Sequence, residues 1–272
     1  MSTPPYDELR RQLVRQLRDR GAVRTERVAA AFAHVPRHVF VCGVPAADVY
    51  ADRSIAIKLQ DGIPISASSQ PAIMAEMIEM LALRGGERVL EIGTGTGYNA
   101  AVLAELVGPS GSVITIDVDD ELVRAARCHL DDAGYPQVRT LCADGVRGDP
   151  SAAPFDRIIA TVGVDAVPAS WIAQLREGGR LVAPLTVRRQ QVVVAFSRTA
   201  RGLESDAIVG ASFIMIRSAE QRDTKKHHLV DAVQRTLARC NGGGRAPGRA
   251  LRITVEVDGS AHVTFASRDH PA

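Results

Sequence analysis

Apolar residues recur at helical spacing in the first third of the chain. One stripe lies between residues 6 and 20, and a second follows Thr25, a residue type that commonly caps a helix start. The inward positions of these two stripes are Leu9, Leu13, Val14, Leu17, Val28, Ala31 and Phe32. A third helix is predicted over residues 71–83, because proline at position 71 would occupy the first turn. Residues 42–62 lack this spacing and are predicted to form a loop-rich connector.

A different pattern begins at residue 88, where short β-type runs alternate with helical segments. The runs span residues 88–93, 112–117, 138–144, 155–161 and 179–185. Continuously apolar strands that alternate with helices are typical of a parallel sheet covered on both faces. Two further runs, 190–199 and 210–218, have no helix between them and are predicted to pair antiparallel at the edge of this sheet.

These patterns predict one α/β domain over residues 1–217. Its first part, residues 1–83, holds the N-terminal helices and a serine-rich loop, and residues 84–217 hold the sheet. Residues 218–272 form an extension with a helical pattern over 224–240 and a hairpin pattern centred on Asp258-Gly259. The extension is predicted either to pack on the sheet edge or to dock a peptide, and the sequence favours neither.

The strongest chemical signal is a glycine loop, Glu91-Ile92-Gly93-Thr94-Gly95-Thr96-Gly97, between a predicted strand and a predicted helix. Glycines at such a turn let a ligand approach backbone N–H groups without meeting a Cβ. The spacing G-x-G-x-G differs from the G-x-G-x-x-G of dinucleotide sites, and no Lys-Ser/Thr follows as in a P-loop. The loop resembles motif I of the Rossmann-like S-adenosylmethionine (SAM) methyltransferases. An NAD-dependent oxidoreductase, or a binding module without methyl transfer, are the weaker alternatives.

Acidic residues end the next two predicted strands. Asp117 lies 20 residues after Gly97, where an acid can accept hydrogen bonds from ribose hydroxyls. Asp144 ends the following strand, where its carboxylate or the adjacent backbone could meet an adenine amino group. Because ligands of open α/β sheets bind along the carboxyl edge of the strands, these acids favour SAM as the cofactor.

Composition excludes several other classes. Hydrophobic residues make up 46% of the 272 positions and charged residues 24%, with a formal net charge of +2, so neither disorder nor a nucleic-acid partner is indicated. Aromatic residues are only 4%, and residues 160–168 offer no aromatic ring to stack a flipped base. The four cysteines form no C-x-x-C pair, which argues against a metal site and favours a reducing cytoplasm. No membrane span or signal peptide is expected.

Beyond motif I, the sequence is similar to the protein-L-isoaspartate O-methyltransferases over roughly residues 6–217. The likeness includes "YADRSIAI" (50–57), "VLEIGTGTGY" (89–98), "FDRIIATVGVDAVPASWIAQLREGGRLVAPL" (155–185) and "GASFIMIRS" (210–218). In this family a serine loop usually reads "TISQP", and Ser69-Gln70-Pro71 match its last three residues. The resemblance implies the Rossmann-like SAM-dependent methyltransferase fold, with a mostly parallel sheet, antiparallel edge strands, an N-terminal helical part and a C-terminal α/β extension.

The resemblance also implies roles for individual residues. Ser69 takes the position of the family's active-site serine. The predicted substrate-binding residues are Ser66, Ser68, Gln70, Val162, Gly163 and Val164. The predicted cofactor-binding residues are Glu91, Gly93, Thr94, Gly95, Gly97, Asp117, Val118, Asp144, Gly145 and Thr161. The expected substrate is an aspartyl or isoaspartyl side chain in a peptide or protein, and its methyl ester promotes succinimide formation.

Two departures from the family pattern bear on the substrate. "ASS" replaces "TIS" at residues 67–69, and the extension beyond residue 217 is longer than the family core requires. Both features resemble the branch of the family that tailors ribosomally made constrained peptides such as lanthipeptides, lasso peptides and graspetides. The sequence leans towards such a tailoring enzyme, with repair of isoaspartyl residues in damaged proteins as the alternative. A nucleic-acid methyltransferase is a more distant alternative.

Overall fold

The computed structural model of the protein describes residues 6–187, 190–217, 249–256 and 261–267. The helix predicted over residues 224–240 lies outside these residues. Buried apolar side chains form two clusters on opposite faces of a central sheet. Along one strand, for example, Val89 belongs to one cluster and Leu90 to the other, which follows from the alternation of side chains in a strand.

The predicted N-terminal helices are confirmed. The helices before the sheet are α1 (Tyr6–Asp19), α2 (Glu26–His34), α3 (Arg37–Phe40), α4 (Ala46–Val49) and α5 (Pro71–Leu81). The Thr25 hydroxyl accepts a hydrogen bond from the backbone N–H of Val28, as predicted for a cap. Pro71 occupies the first turn of α5, and the helix ends at Ala82, whose φ is 53°.

The prediction of an irregular connector over residues 42–62 was wrong in its second half. Strands β1 (Ile55–Gln60) and β2 (Ile63–Ser68) form an antiparallel hairpin. Asp61 and Gly62 make its turn with φ values of 52° and 76°, the left-handed conformation that Asp-Gly hairpin turns require. The run Ser66–Ser68 is therefore the end of a strand rather than part of a loop.

Nine strands form the central sheet among the described residues. They are β3 (Arg88–Ile92), β4 (Ser112–Asp117), β5 (Arg139–Cys142), β6 (Phe155–Ala160), β7 (Leu175–Val187), β8 (Gln190–Thr199), β9 (Gly202–Gly210), β10 (Arg249–Glu256) and β11 (Ala261–Ser267). Their spatial order is β11-β10-β9-β8-β7-β6-β3-β4-β5. Neighbours from β7 to β5 are parallel and neighbours from β7 to β11 are antiparallel, so both predicted parts of the sheet are present.

Helices α6 (Tyr98–Val107), α7 (Asp120–Asp132) and α8 (Ala169–Gln174) connect the parallel strands. α6 is buried almost all round, which matches its apolar sequence. Between β5 and β6 the chain makes a 3₁₀ turn over Gly145–Arg147, not an α-helix.

The antiparallel partner of β8 was predicted incorrectly. It is β9, whereas residues 211–217 are irregular and form one isolated bridge, between Met215 and Gly163. β9 contains polar residues that conceal its strand character, and one of them, Asp206, pairs with Arg180 of β7 at 2.7 Å. The hairpin of β10 and β11 is confirmed, and β10 pairs with the first residues of β9.

Candidate active site

A cavity of about 610 Å³ lies at the carboxyl ends of the parallel strands. Its walls come from four parts of the chain: the β1–β2 hairpin with the start of α5, the glycine loop, the end of β4 with the start of α7, and residues 210–217. Residues 161–162, after β6, and Gly145, after β5, complete the boundary. The cavity thus stands at the edge where the sequence predicted the cofactor.

The glycine loop adopts a conformation that needs its glycines. Gly93, Gly95 and Gly97 have φ values of 103°, 50° and 88°. A Cβ on Gly93 would lie 2.6 Å from the Thr161 hydroxyl oxygen. Gly93 and Gly95 line the cavity, whereas Gly97 packs against α7. The side chain of Thr94 also faces away, because its hydroxyl bonds to that of Thr115 at 2.8 Å in the core.

Asp117 ends β4 beside this loop and is half-buried on the cavity wall. Its Oδ2 accepts a hydrogen bond from the backbone N–H of Gly95 at 3.1 Å, and its Oδ1 accepts one from Asp119 at 3.2 Å. Val118 follows on the wall and is 43% exposed. Carboxylate oxygens accept more than one hydrogen bond, so Asp117 retains capacity for two neighbouring hydroxyls.

Asp144 and Gly145 differ in what they present to the cavity. The Asp144 carboxylate accepts a hydrogen bond from the Val146 N–H at 2.9 Å and caps the 3₁₀ turn. Gly145 lines the cavity, and a Cβ there would lie 2.6 Å from Ile92 Cγ2. Of the two predicted contacts for the adenine amino group, the Asp144 carboxylate and the adjacent backbone, only the backbone at Gly145 lies on the cavity wall.

Glu91 is not brought to the cavity. It is fully buried in β3, and its Oε1 accepts a hydrogen bond from Asn99 Nδ2 of α6 at 2.7 Å. Burial raises the pKa of Glu91 to about 7, and hydrogen bonds from Thr115 and Asn99 oppose this rise. The Glu91 side chain therefore stabilises the glycine loop from the core, through its bond to α6. This position differs from the predicted contact with the cofactor.

Replacing Glu91 with glutamine should flatten the pH dependence of stability. Because the pKa of Glu91 is about 7 in the folded chain against an ordinary 4.5, the folded chain holds this proton more tightly than the unfolded chain. The free energy of unfolding should therefore fall by roughly 3 kcal/mol as pH rises between these two values, and stay low above them. Glutamine keeps an acceptor for Asn99 and cannot ionise.

Thermal unfolding at pH 5 and pH 8 measures this effect. Glu91→Gln should gain stability over the unsubstituted chain at pH 8 and little at pH 5. The exposed Asp132→Asn makes the same change of formal charge and should leave the pH slope unchanged. Identical slopes for Glu91→Gln and the unsubstituted chain would contradict a buried, titrating Glu91.

The serine strand lies across the cavity from the glycine loop. Ser66 and Ser69 line the cavity, and so does Gln70, whose Nε2 donates to Asp52 Oδ2 at 3.1 Å. Ser68 does not line it: the side chain is buried, and its hydroxyl accepts a hydrogen bond from Arg37 Nη2 at 3.2 Å. The predicted substrate contact of Ser68 is therefore replaced by a contact inside the fold.

The turn after β6 contributes less than predicted. The Thr161 hydroxyl donates to the Gly93 carbonyl at 2.8 Å, and Val162 lines the cavity. Gly163 instead pairs through its backbone with Ile214 and Ile216, each at 2.8 Å. Val164 is 2% exposed in the core and donates its N–H to the Pro184 carbonyl. Gly163 and Val164 thus support the wall rather than form its surface.

Residues 210–217 form a wall that was interpreted from the sequence as an edge strand. Two bonds to Gly163 hold this segment, and the Gln191 side chain adds two more, accepting from the Phe213 N–H and donating to Met215 Sδ. A Cβ on Gly163 would strike Gln191 Nε2 at 2.4 Å and Met215 Sδ at 2.9 Å. No local pattern predicts this placement, because it depends on partners in the turn after β6 and in β8.

An ionic cluster joins three of the walls. Lys58 of β1 bonds to Asp119 Oδ2 at 2.9 Å and to Glu121 Oε2 at 2.7 Å at the start of α7. Arg217 lies 3.3 Å from the same Asp119 oxygen.

In the part of the chain that the structure describes, no group of three or more possible metal-binding side chains occurs. No described helix combines the length and apolar character of a membrane span.

Comparison with known proteins identifies the family. The family model described as Protein-L-isoaspartate(D-aspartate) O-methyltransferase (PCMT) matches residues 8–221. A protein-L-isoaspartate O-methyltransferase of Ignicoccus hospitalis is 39% identical over 215 residues, which cover 79% of this chain and 100% of that protein. One from Methanopyrus kandleri is 42% identical over 198 residues, covering 72% and 85% respectively. The chain spans only 54% of a similarly named Thermotoga maritima protein, at 39% identity over 63% of this chain.

Solved structures agree with this assignment. A protein-L-isoaspartate O-methyltransferase has a TM-score of 0.71 and 36% identity, covering 77% of this chain and 66% of that chain. A Plasmodium falciparum protein in complex with S-adenosyl-L-homocysteine has a TM-score of 0.66 over 76% of this chain and 97% of its own. At 18% identity the latter supports the fold alone, and the predicted Rossmann-like methyltransferase fold is confirmed. The chain belongs to the protein-L-isoaspartate O-methyltransferase family, whose members are SAM-dependent carboxyl methyltransferases.

Proposed function

We propose that this protein methylates the side-chain carboxylate of L-isoaspartyl residues in proteins or peptides, with SAM as the methyl donor. The observation that carries the proposal is a single cavity with two chemically different halves. One half has the glycine loop and Asp117, and the other has Ser66, Ser69 and Gln70. A methyl donor in the first half and a carboxylate in the second would lie in the same cavity, as direct transfer requires.

The cofactor half fits SAM on the chemistry of its walls. The backbone at Gly93 and Gly95 is bare of Cβ atoms, as close approach of a ligand requires. Asp117 would accept hydrogen bonds from the ribose hydroxyls, and Val118 and Gly145 would flank the adenine. Thr161 would hold the loop through its bond to Gly93. Glu91, Thr94, Gly97 and Asp144 would stabilise the loop and the turn from behind.

The substrate half needs no general base. A substrate carboxylate has a pKa of about 4 and is ionised at neutral pH, so it is already a nucleophile. SAM, when bound, supplies a methyl group activated by its sulfonium. The Ser69 hydroxyl would donate a hydrogen bond to the carboxylate without protonating it. Orientation of the reacting groups can lower the activation barrier by about 7–11 kcal/mol. The apolar walls at Ile65, Ile73 and Phe213 would exclude water.

Repair of isoaspartyl residues is the substrate assignment that the relatives support. Two observations weaken the argument for peptide tailoring. Ser68 bonds to Arg37 rather than lining the cavity. β10 pairs with β9 at residues 202–204, whereas the cavity is lined by Gly210, roughly 20 Å away along the strand. We therefore assign residues 1–217 to the catalytic domain and 218–272 to an extension, whose described strands β10 and β11 lie at the sheet edge.

The free thiols of Cys42, Cys128 and Cys142 support the cytoplasm as the compartment. The partner is a polypeptide that exposes an isoaspartyl residue.

Methylation of matched peptides tests the function. An isoaspartyl peptide, its aspartyl isomer and its isoasparaginyl analogue are incubated with the full chain and SAM, and ester formation is measured by mass. We expect ester on the isoaspartyl peptide and none on the amide. The aspartyl isomer should form at least about 100-fold less ester, because its carboxylate is misplaced by one bond. Equal ester on both carboxylates would favour tailoring over repair. No ester on either would contradict carboxyl methylation.

A further inference from the structure

A fully buried arginine lies behind the serine strand. Arg37, on the four-residue helix α3, has no exposed surface. Its Nη2 donates to the Ser68 hydroxyl at 3.2 Å and to the Ser69 carbonyl at 3.1 Å. These two acceptors are adjacent in sequence, so one guanidinium nitrogen fixes the backbone at the residue expected to meet the substrate.

The same guanidinium also contacts the helix that follows the glycine loop. Its Cζ lies 5.6 Å from the centre of the Tyr98 ring, a distance at which a cation is attracted to an aromatic face. Tyr98 is the first residue of α6 and follows Gly97 of the glycine loop directly. Arg37 therefore connects the strand that carries Ser69 with the helix that begins at the cofactor loop.

Burying the Arg37 guanidinium in this position lowers the free energy of unfolding. Arg37 Nε and Nη1 have no hydrogen-bond partner, and no carboxylate of the described residues forms a salt bridge with the guanidinium. Burial lowers the pKa of Arg37, while Tyr98 and Asp52 oppose this effect, and an arginine remains charged in proteins. Well-packed hydrophobic residues often serve stability better than a buried charge. Stability alone therefore does not explain an arginine at this position.

We propose that Arg37 is a positioning residue for methyl transfer, which holds the Ser68–Ser69 backbone so that the Ser69 hydroxyl is aligned with the substrate carboxylate. The proposal rests on the proposed function, because it concerns the same cavity. Arg37 does not line the cavity and acts through Ser69. The two donated bonds restrict the strand where it turns into α5, and a small shift there moves the hydroxyl relative to the methyl donor.

A double-mutant cycle with Arg37→Met and Ser69→Ala tests the proposal. Methionine is similar in length, removes the charge and donates no hydrogen bond. The measurements are kcat and KM for the isoaspartyl peptide, the Kd for SAM by calorimetry, and thermal stability. We expect Arg37→Met to lower kcat by about 100-fold, as for a misplacement of about 1 Å. The Kd for SAM should change by less than about threefold, because the glycine loop and Asp117 remain in place.

The decisive comparison is the double variant. If Arg37 acts through Ser69, Arg37→Met should cost no more than about threefold in kcat when Ser69 is already alanine. Arg37→Lys, which keeps the charge and can donate to both oxygens, should recover at least about tenfold of the lost kcat. If the methionine variant does not fold, the same cycle with Ser68→Ala in place of Arg37→Met decides the question, because Ser68→Ala removes one of the two bonds that Arg37 donates.

Three results would overturn the positioning role: an Arg37→Met kcat within about threefold of the unsubstituted enzyme, equal losses in SAM affinity and kcat, or multiplicative effects in the double variant. The unsubstituted enzyme is assayed first with the isoaspartyl peptide. If it forms no ester, the proposed function fails and the positioning role fails with it. If it forms ester and Arg37→Met does so equally well, only the positioning role fails.

Discussion

Replacing Asp117 with alanine should weaken SAM binding by at least about 100-fold. A carboxylate that accepts hydrogen bonds contributes about 1.5–3 kcal/mol per bond, and the two hydroxyls of a ribose would bond to one carboxylate. Asp117 is placed for this role, since it lines the cavity and is held by the N–H groups of Gly95 and Asp119. Calorimetric titration of SAM into the two proteins measures the change.

Asp117→Asn is the matched control for shape. Asparagine keeps one oxygen acceptor and lacks the charge, so its loss of affinity should lie between those of the unsubstituted and alanine proteins. Thermal unfolding without SAM separates binding from loop stability, because either substitution also alters the bond to Gly95. Unchanged affinity in Asp117→Ala would remove Asp117 from the ribose site.

Gly93→Ala should destabilise the fold and abolish SAM binding at ordinary concentrations. The φ of Gly93 is 103°, and an alanine Cβ would lie 2.6 Å from Thr161 Oγ1 and 3.0 Å from Val162 Cγ1. A left-handed conformation costs an L-residue about 1–2 kcal/mol, and forced overlap adds about 1–3 kcal/mol. The same Cβ would occupy the wall of the cofactor half. Denaturant unfolding and SAM titration give the two quantities.

Gly134→Ala separates the two parts of this cost. Gly134 has a φ of 86° and open space around a built Cβ, so its substitution should cost only the conformational part. We expect Gly93→Ala to lose at least about 1 kcal/mol more stability than Gly134→Ala, which should bind SAM normally. Equal losses in the two variants, with SAM binding retained in both, would show that the overlap at Gly93 relaxes without consequence.

Much of the fold could be predicted from periodicity, because apolar spacing reports which face of an element is buried. α1, α2 and the parallel strands were located this way. The hairpin of β1 and β2 was not predicted, although Asp61-Gly62 is a common hairpin turn, because register shifts in β1 interrupt the alternation of exposed and buried side chains. β9 was missed because its polar residues are satisfied by distant partners, as the pair Arg180–Asp206 illustrates.

The site residues that could be predicted are those that stand at the end of a strand or the start of a helix. Gly93, Asp117 and Ser69 lie on the cavity wall because strand ends and helix starts fix them. Side-chain direction was harder to predict: Glu91 and Ser68 were placed correctly along the chain, but their side chains turn towards α6 and Arg37. The sequence gives no sign of Arg37's burial, since α3 has too few residues to show a periodic face.

The walls of the cavity also constrain the order in which the protein can become active during synthesis. Ser54 and Arg217 both line the cavity, so segments about 160 residues apart in the sequence must come together to complete it. A nascent chain that has emerged only as far as β8 has the glycine loop and the parallel strands but lacks the wall at residues 210–217. Contacts of such sequence separation form late in folding, because closing long loops is entropically costly. The site is therefore among the last parts of the domain to be assembled.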